Sequence, residues 1–439
     1  MKQALHPRFP DVELPHLSEV QLSSMSNVVL RQPEVPALVN PLSELRLRLN
    51  QRADLFSLPK GSSIAIAVGS RGITRIDEIT QFVVSWLIEQ EFEPFIVPGM
   101  GSHGGGSAEG QISVLEKLGV TEAAMGCPIR SSMSTVSYGE IKGGLTCHFD
   151  SIAAAANGIV VINRVKAHTS FPRPVESGLT KMLAVGLGKA EGARQVHLFG
   201  PRGLRDILPR LANRIIERAP LIAGIAIVEN AKKQLSQMEV AAPRDFYDVD
   251  KRLLVQAKTA MARLPFSQID GLIVEEVGKE ISGAGIDPAV TGRTDIRGVD
   301  NPAEPFIHKI VALDLTDNTA GNGIGVGMVD YIPRRMADQL DLQAMYMNAV
   351  TATILEKAFI PIVLPDDLAC IRALEATCWA SGLPRICQIR SSAELDRIAV
   401  SRPLLEELRE TDFLLDEQPA EFPQFDSANR LSSRLGETS

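Results

Sequence analysis

The chain has 439 residues, 45% of them hydrophobic and 22% charged, with a formal net charge of −8. That length suits two domains with sizeable cores, the negative balance argues against a general nucleic-acid or anionic-membrane binder, and aromatic residues at 5% leave little for a base-stacking platform. Five cysteines, Cys127, Cys147, Cys370, Cys378 and Cys387, form no C-x-x-C pair, which argues against a disulfide framework or a zinc knuckle.

The opening stretch MKQALHPRFPDVELP lacks the apolar region of a signal peptide. No run of about 18 uncharged apolar residues occurs, so a cytoplasmic protein is expected. The first buried-strand pattern is SSIAIAVGS (62–70), followed by the helical period IDEITQFVVSWLIEQEF (76–92) and a second strand, EPFIVPGMG (93–101). NGIVVINRV (157–165) and AGIAIVEN (223–230) read as further strands, with a helix RGLRDILPRLANRIIERA (202–219) between them. The helical stretch 245–265 ends at Pro265, and a domain boundary is expected there. Beyond it come the strands DGLIVEEVG (270–278), KIVALDLT (309–316) and FIPIVLPD (359–366), with one long helix predicted over 334–358.

Strands apolar at consecutive positions, alternating with helices, predict an α/β protein of two domains with mainly parallel sheets. The expected domains are 1–265 and 266–405, with a polar, proline-bearing tail over 406–439.

In open α/β sheets ligands bind beyond the carboxyl ends of the strands. Four such loops carry notable residues: Arg71; His103, set in GSHGGGS; His168 with Lys181 further on; and Lys279 with Asp287 and Arg293. The glycines beside His103 permit close backbone approach, but they match neither a Walker loop nor a G-x-G-x-x-G fingerprint. Lys181, in SGLTKMLAVGLGK, has small apolar neighbours. It reads equally as a desolvated nucleophile and as a lysine snorkelling from a helix edge. His197 by itself reads as a half-buried helix histidine. Two histidines on separate loops suit proton transfer on opposite faces of a small substrate, and a third suits a metal. Arg71 and Arg293 suit a carboxylate clamp. His6, His16, His148 and His308 lack such company and read as structural.

The ordered set GSH with its glycine loop, then KAH, then a lysine in G-x-x-K, then a histidine about sixteen residues on, resembles the nickel-dependent lactate racemase family over roughly residues 60–200. The resemblance implies a nickel pincer nucleotide tethered to Lys181 as a thioamide, with Gly178 and Thr180 in the cofactor-binding loop. It implies His197 as the nickel ligand, His103 and His168 as the acid–base pair, and Arg71 as a substrate ligand. Lys279 and Arg293 become the candidates for substrate ligands from the second domain, and the active site is expected in the cleft between the domains. The implied partners are a small 2-hydroxy acid and, in passing, proteins that make the cofactor. The loop VGSRGITR departs from the family's S-D-H-T-R-P by lacking the acid and the proline. That points away from lactate itself, toward a sugar acid or a dicarboxylate. Two other readings compete: a metal-dependent hydrolase or lyase using His103, His168 and His197, and a non-catalytic relative that only binds the cofactor.

Overall fold

A computed structural model of the chain describes residues 8–10, 12–70, 73–167 and 173–436. The chain divides into two compact units. A central unit spans Pro33–Met261; a split unit combines the segment through Gln32 with everything from Ala262 onward.

Strand β1 (Met25–Leu30) belongs to the split unit. The central unit then contributes β2 (Ser63–Val68), β3 (Glu93–Pro98), β4 (Thr135–Ile141), β5 (Leu145–Asp150), β6 (Gly158–Arg164), β7 (Leu221–Glu229) and β8 (Leu235–Ala241). Its main sheet runs β3-β2-β6-β7-β8, parallel except for β8; β4 and β5 form a separate antiparallel ribbon. β2 and β6 are buried over almost their whole length, as strands covered on both faces must be. One cover is the helix Ile76–Glu89, which turns Ile79, Val83, Trp86 and Leu87 inward onto Ile64, Ile66 and Val160. Because β3, β2, β6 and β7 are parallel, their carboxyl ends lie along one edge, and the loops bearing the candidate residues start there.

The split unit adds β9 (Gln268–Val277), β10 (Phe306–Leu315), β11 (Tyr331–Pro333), β12 (Ile362–Leu364), β13 (Ile386–Ser391), β14 (Glu394–Ser401) and β15 (Leu414–Glu417). Its sheet order is β12-β11-β10-β9-β13-β14-β1-β15, parallel from β12 to β13 and antiparallel beyond. Leu272, Val274, Ile310 and Ala312 face one core, and Ile273, Val311 and Leu313 face the other with Ile371 and Leu374. The sheet therefore has two apolar faces to cover.

This arrangement corrects the expected domain limits. The N-terminal segment does not join the domain that follows it: β1 fits between β14 and β15, with Val28 opposite Ile398 and Glu417. Nor is 406–439 a tail. Leu431 and Leu435 are buried in the second core, and their N–H groups donate to Asp367 Oδ2 at 3.0 Å and Glu275 Oε1 at 2.9 Å. Backbone donors that find buried carboxylates hold a polar segment down despite its composition. The long helix expected over 334–358 is broken. Arg334–Ala337 stops and Leu342–Ala352 starts anew, because Asp341 caps it by accepting from Gln343 N at 2.9 Å and Ala344 N at 3.2 Å. Among the described residues no helix is long and apolar enough to cross a membrane.

Candidate functional site

Beyond β6 the chain enters the described residues again at Arg173 and reaches a short helical turn, Leu179–Lys181. A wide turn over Met182–Gly186 and the helix Lys189–Leu198 follow. A buried carboxylate makes the first turn. Asp250, on the helix Phe246–Thr259, is fully enclosed and accepts from Leu179 N at 2.9 Å and Thr180 N at 2.7 Å. It does the work of an N-cap from another helix. Gly178 precedes the turn at φ 125°, and a Cβ there would collide with Asp250 Oδ1, so the position demands glycine. Its carbonyl accepts from Asn163 Nδ2 at 2.6 Å, fixing it to the end of β6. Burial pushes the Asp250 carboxyl up to about 7, against the hydrogen bonds of Thr180 and Leu179, which pull it down. Thr180 is buried and Lys181 half-buried on this capped turn.

The glycine loop after β3 packs directly on the same segment. Gly101 N donates to Gly186 O at 2.9 Å. A Cβ on Gly186 would come within 2.7 Å of Gly99 O, so two backbones meet where no side chain fits. Thus the glycines at 99 and 101 serve contact with the turn that follows Lys181. His103 lies further along the loop, exposed, with Nδ1 2.5 Å from Ser70 Oγ at the end of β2. Loops from β2, β3 and the Lys181 segment are therefore joined by hydrogen bonds at the carboxyl edge of one sheet. Beside them Glu229, at the end of β7, pairs with Arg164 and accepts from Thr74 N at 2.7 Å, holding the loop just past Arg71.

His197 is half-buried in the last turn of the helix Lys189–Leu198. Arg71 and His168 lie outside the described residues. In the split unit, Lys279 is exposed just beyond β9, and its Nζ donates to Asn348 Oδ1. Arg293 has a different task from the expected carboxylate clamp. Its guanidinium donates to Met328 O at 3.0 Å, Ile307 O at 3.3 Å and His308 O at 2.5 Å, and it pairs with Asp330 at 2.8 Å. Its donors bind loop to strand. Trp379 lies against His308, ring centroids 4.6 Å apart, near the amino-terminal start of β10 and so away from the carboxyl edge.

Ser70, Asp250, Gln111 and Lys189 were not singled out from sequence. Only Lys189 carried a signal, as the second lysine of the quoted SGLTKMLAVGLGK stretch. Among the described residues no three His, Cys, Asp or Glu side chains come together as a metal site.

Fold and site together define an α/β protein with a loop-built cradle at the carboxyl edge of a parallel sheet. No model of a known protein family matches the chain, and no curated protein matches it. Two solved structures are similar in course. One is a protein from Thermotoga maritima, at TM-score 0.48 and 12% identity, covering 71% of this chain and 82% of its own. The other is the lactate racemase apoprotein from Thermoanaerobacterium thermosaccharolyticum, at TM-score 0.46 and 12% identity, covering 82% of this chain and 96% of its own. At those scores and identities neither likeness carries weight for function.

Proposed function

We propose that the chain is a racemase or epimerase that inverts C2 of a 2-hydroxy acid, with a nickel pincer nucleotide tethered to Lys181. The observation that carries this reading is the packing of the His103 loop onto the Lys181 segment through Gly101 N and Gly186 O. An acid–base histidine and a lysine for attachment thereby belong to one hydrogen-bonded framework.

The residues suit the group. A turn capped by Asp250 fixes the backbone that bears Lys181, and Gly178 and Thr180 belong to that turn. His197 would supply a side-chain nitrogen to nickel. A metal held mainly by an organic pincer asks no more of the protein, so a cluster of protein ligands is not required. Such a nucleotide, when bound, supplies a carbon centre that accepts and returns hydride.

The chain's own residues bind, orient and move protons. His103 holds a proton at the C2 oxygen on one face of the substrate, and His168 serves the opposite face; an imidazole is the side chain suited both to take and to give a proton. Ser70 orients the His103 ring through Nδ1. Arg71 is the ligand of the substrate carboxylate, an anion that a guanidinium suits. Lys279 is the second substrate ligand, and the Asn348 amide that holds its Nζ sets its position. Proteins that make the nucleotide are the expected transient partners, in the cytoplasm.

The intact mass of protein purified from cells that make the cofactor tests this. The expected result is a mononucleotide-sized adduct on the Lys181 peptide with about one nickel per chain. Unmodified Lys181 in a protein that still racemises a 2-hydroxy acid would refute the reading.

A further inference from the structure

Lys189 is a lysine with no exposed surface. It begins the helix that carries His197 in its last turn, at φ 54°, a conformation that disfavours any residue with a Cβ. Its ammonium donates to Pro98 O at 2.8 Å and Gln111 Oε1 at 3.1 Å, and forms an ion pair with Asp150 Oδ2 at 2.8 Å. Asp150 and Gln111 are also fully enclosed. Two hydrogen bonds and one ion pair thus surround a fully enclosed ammonium, the company such a group needs inside a protein.

The other end of Gln111 gives this arrangement a direction. Its Nε2 donates to Gly101 O at 2.8 Å and to His103 O at 3.4 Å. Pro98 O marks the start of the same loop. A buried cation thus orients one amide, and that amide holds the backbone on which His103 stands. We propose that Lys189, acting through Gln111, is a positioning residue for His103. It anchors the loop at the start of β3's exit and at the histidine's own carbonyl. Its consequence for turnover rests on the racemase reading; its effect on the loop does not.

The test uses the full chain without cofactor and reads His103 directly. Diethyl pyrocarbonate modifies accessible neutral imidazoles, and peptide mass spectrometry follows each histidine separately across its titration range. Gln111→Glu keeps an acceptor for Lys189 but loses both donors to the loop. It is expected to raise the His103 modification rate roughly fivefold, the worth of the shorter of the two lost hydrogen bonds, and to move its pH midpoint. His148, held by Thr135 in the same unit, serves as the control and stays unchanged. Lys189→Met is expected to reproduce the change; if that chain does not fold, Asp150→Asn, which takes away the lysine's anionic anchor, takes its place. A folded Gln111→Glu chain with His103 rate and midpoint as in the parent overturns the proposal. So does a folded lysine or aspartate variant that leaves them unmoved, or a rise in His148 equal to that of His103. An unmodified Lys181 in a chain that still racemises would refute the proposed function and leave this result standing.

Discussion

The two units use their charged residues differently. In the central unit the groups with chemistry to offer, His103 and Lys181, are exposed or half-buried, while Asp250, Lys189 and Asp150 are fully enclosed and bonded to the loops that carry them. In the split unit Arg293 is itself the tie, bound to three carbonyls and Asp330. A guanidinium bound to three carbonyls and a carboxylate cannot also turn to a ligand without loosening the loop. The difference separates residues that present a group from residues that hold the presenting loop, and each assignment can be broken by its own measurement.

The largest effect is expected from pH. The Asp250 carboxyl, ordinarily near 3.8, is raised to about 7 by burial. Between those values the folded chain binds a proton that the unfolded chain does not. Its stabilising contribution is therefore fully present below about 4 and is lost as pH rises through about 7. At about 1.4 kcal/mol per pH unit the change approaches ~4 kcal/mol. Urea unfolding of the central unit, followed by hydrogen exchange over 178–186, should show stability falling across this window. Asp250→Asn should flatten the slope; an unchanged slope would show that another group titrates across this window.

Gly178→Ala comes next. A Cβ at φ 125° meets the same carboxylate. The expected loss is roughly 2–4 kcal/mol in the central unit, read as a lower melting temperature. A chain as stable as the parent would show that the turn can rebuild without its cap.

The sequence carried the candidates better than their supports. β2, β3, β6, β7, β9 and β10 announce themselves as consecutive apolar residues, because a strand covered on both faces has no polar side to show. β1, with Asn27 exposed in its middle, and β14, ELDRIAVS, mix polar and apolar residues. Their place is set by partners at the far end of the chain, which no local pattern contains. The same holds at the site. His103 and Lys181 stand out because polar groups sit among glycines and small residues. Asp250 looks like any acid on an amphipathic helix; only its contact with Leu179 and Thr180, 71 and 70 residues earlier, makes it a cap. Gln111 reads as a solvated helix residue until Lys189 is seen beneath it. Arg293 misleads for the matching reason: its type suits a carboxylate, and its carbonyl partners are invisible in the sequence.

Arg293→Met sharpens the comparison from the other side. It strands three carbonyl groups and Asp330, an expected cost of about 2–3 kcal/mol to the split unit. If Arg293 is only a tie, the KM of the folded fraction for the proposed 2-hydroxy acid stays as it was. A KM raised with stability unchanged would return the arginine to the substrate.

The smallest effect concerns Ser70. Its hydroxyl and the His103 ring are both open to water, so losing their hydrogen bond costs about 1 kcal/mol or less. Folding should hardly notice Ser70→Ala. The imidazole should notice it, because the hydroxyl can donate to Nδ1 or accept from it, and the choice sets which nitrogen carries the proton of the neutral ring. A base acting through Nε2 needs Nδ1–H directed at the serine oxygen. Nitrogen-15 shifts of His103 in the parent should then report the Nδ1–H tautomer, and in Ser70→Ala a shift toward the Nε2–H form that free imidazole side chains favour. A parent ring already protonated at Nε2 would mean that Ser70 donates. His103 would then meet the substrate as a donor, and the face it serves would be the one where a proton is returned.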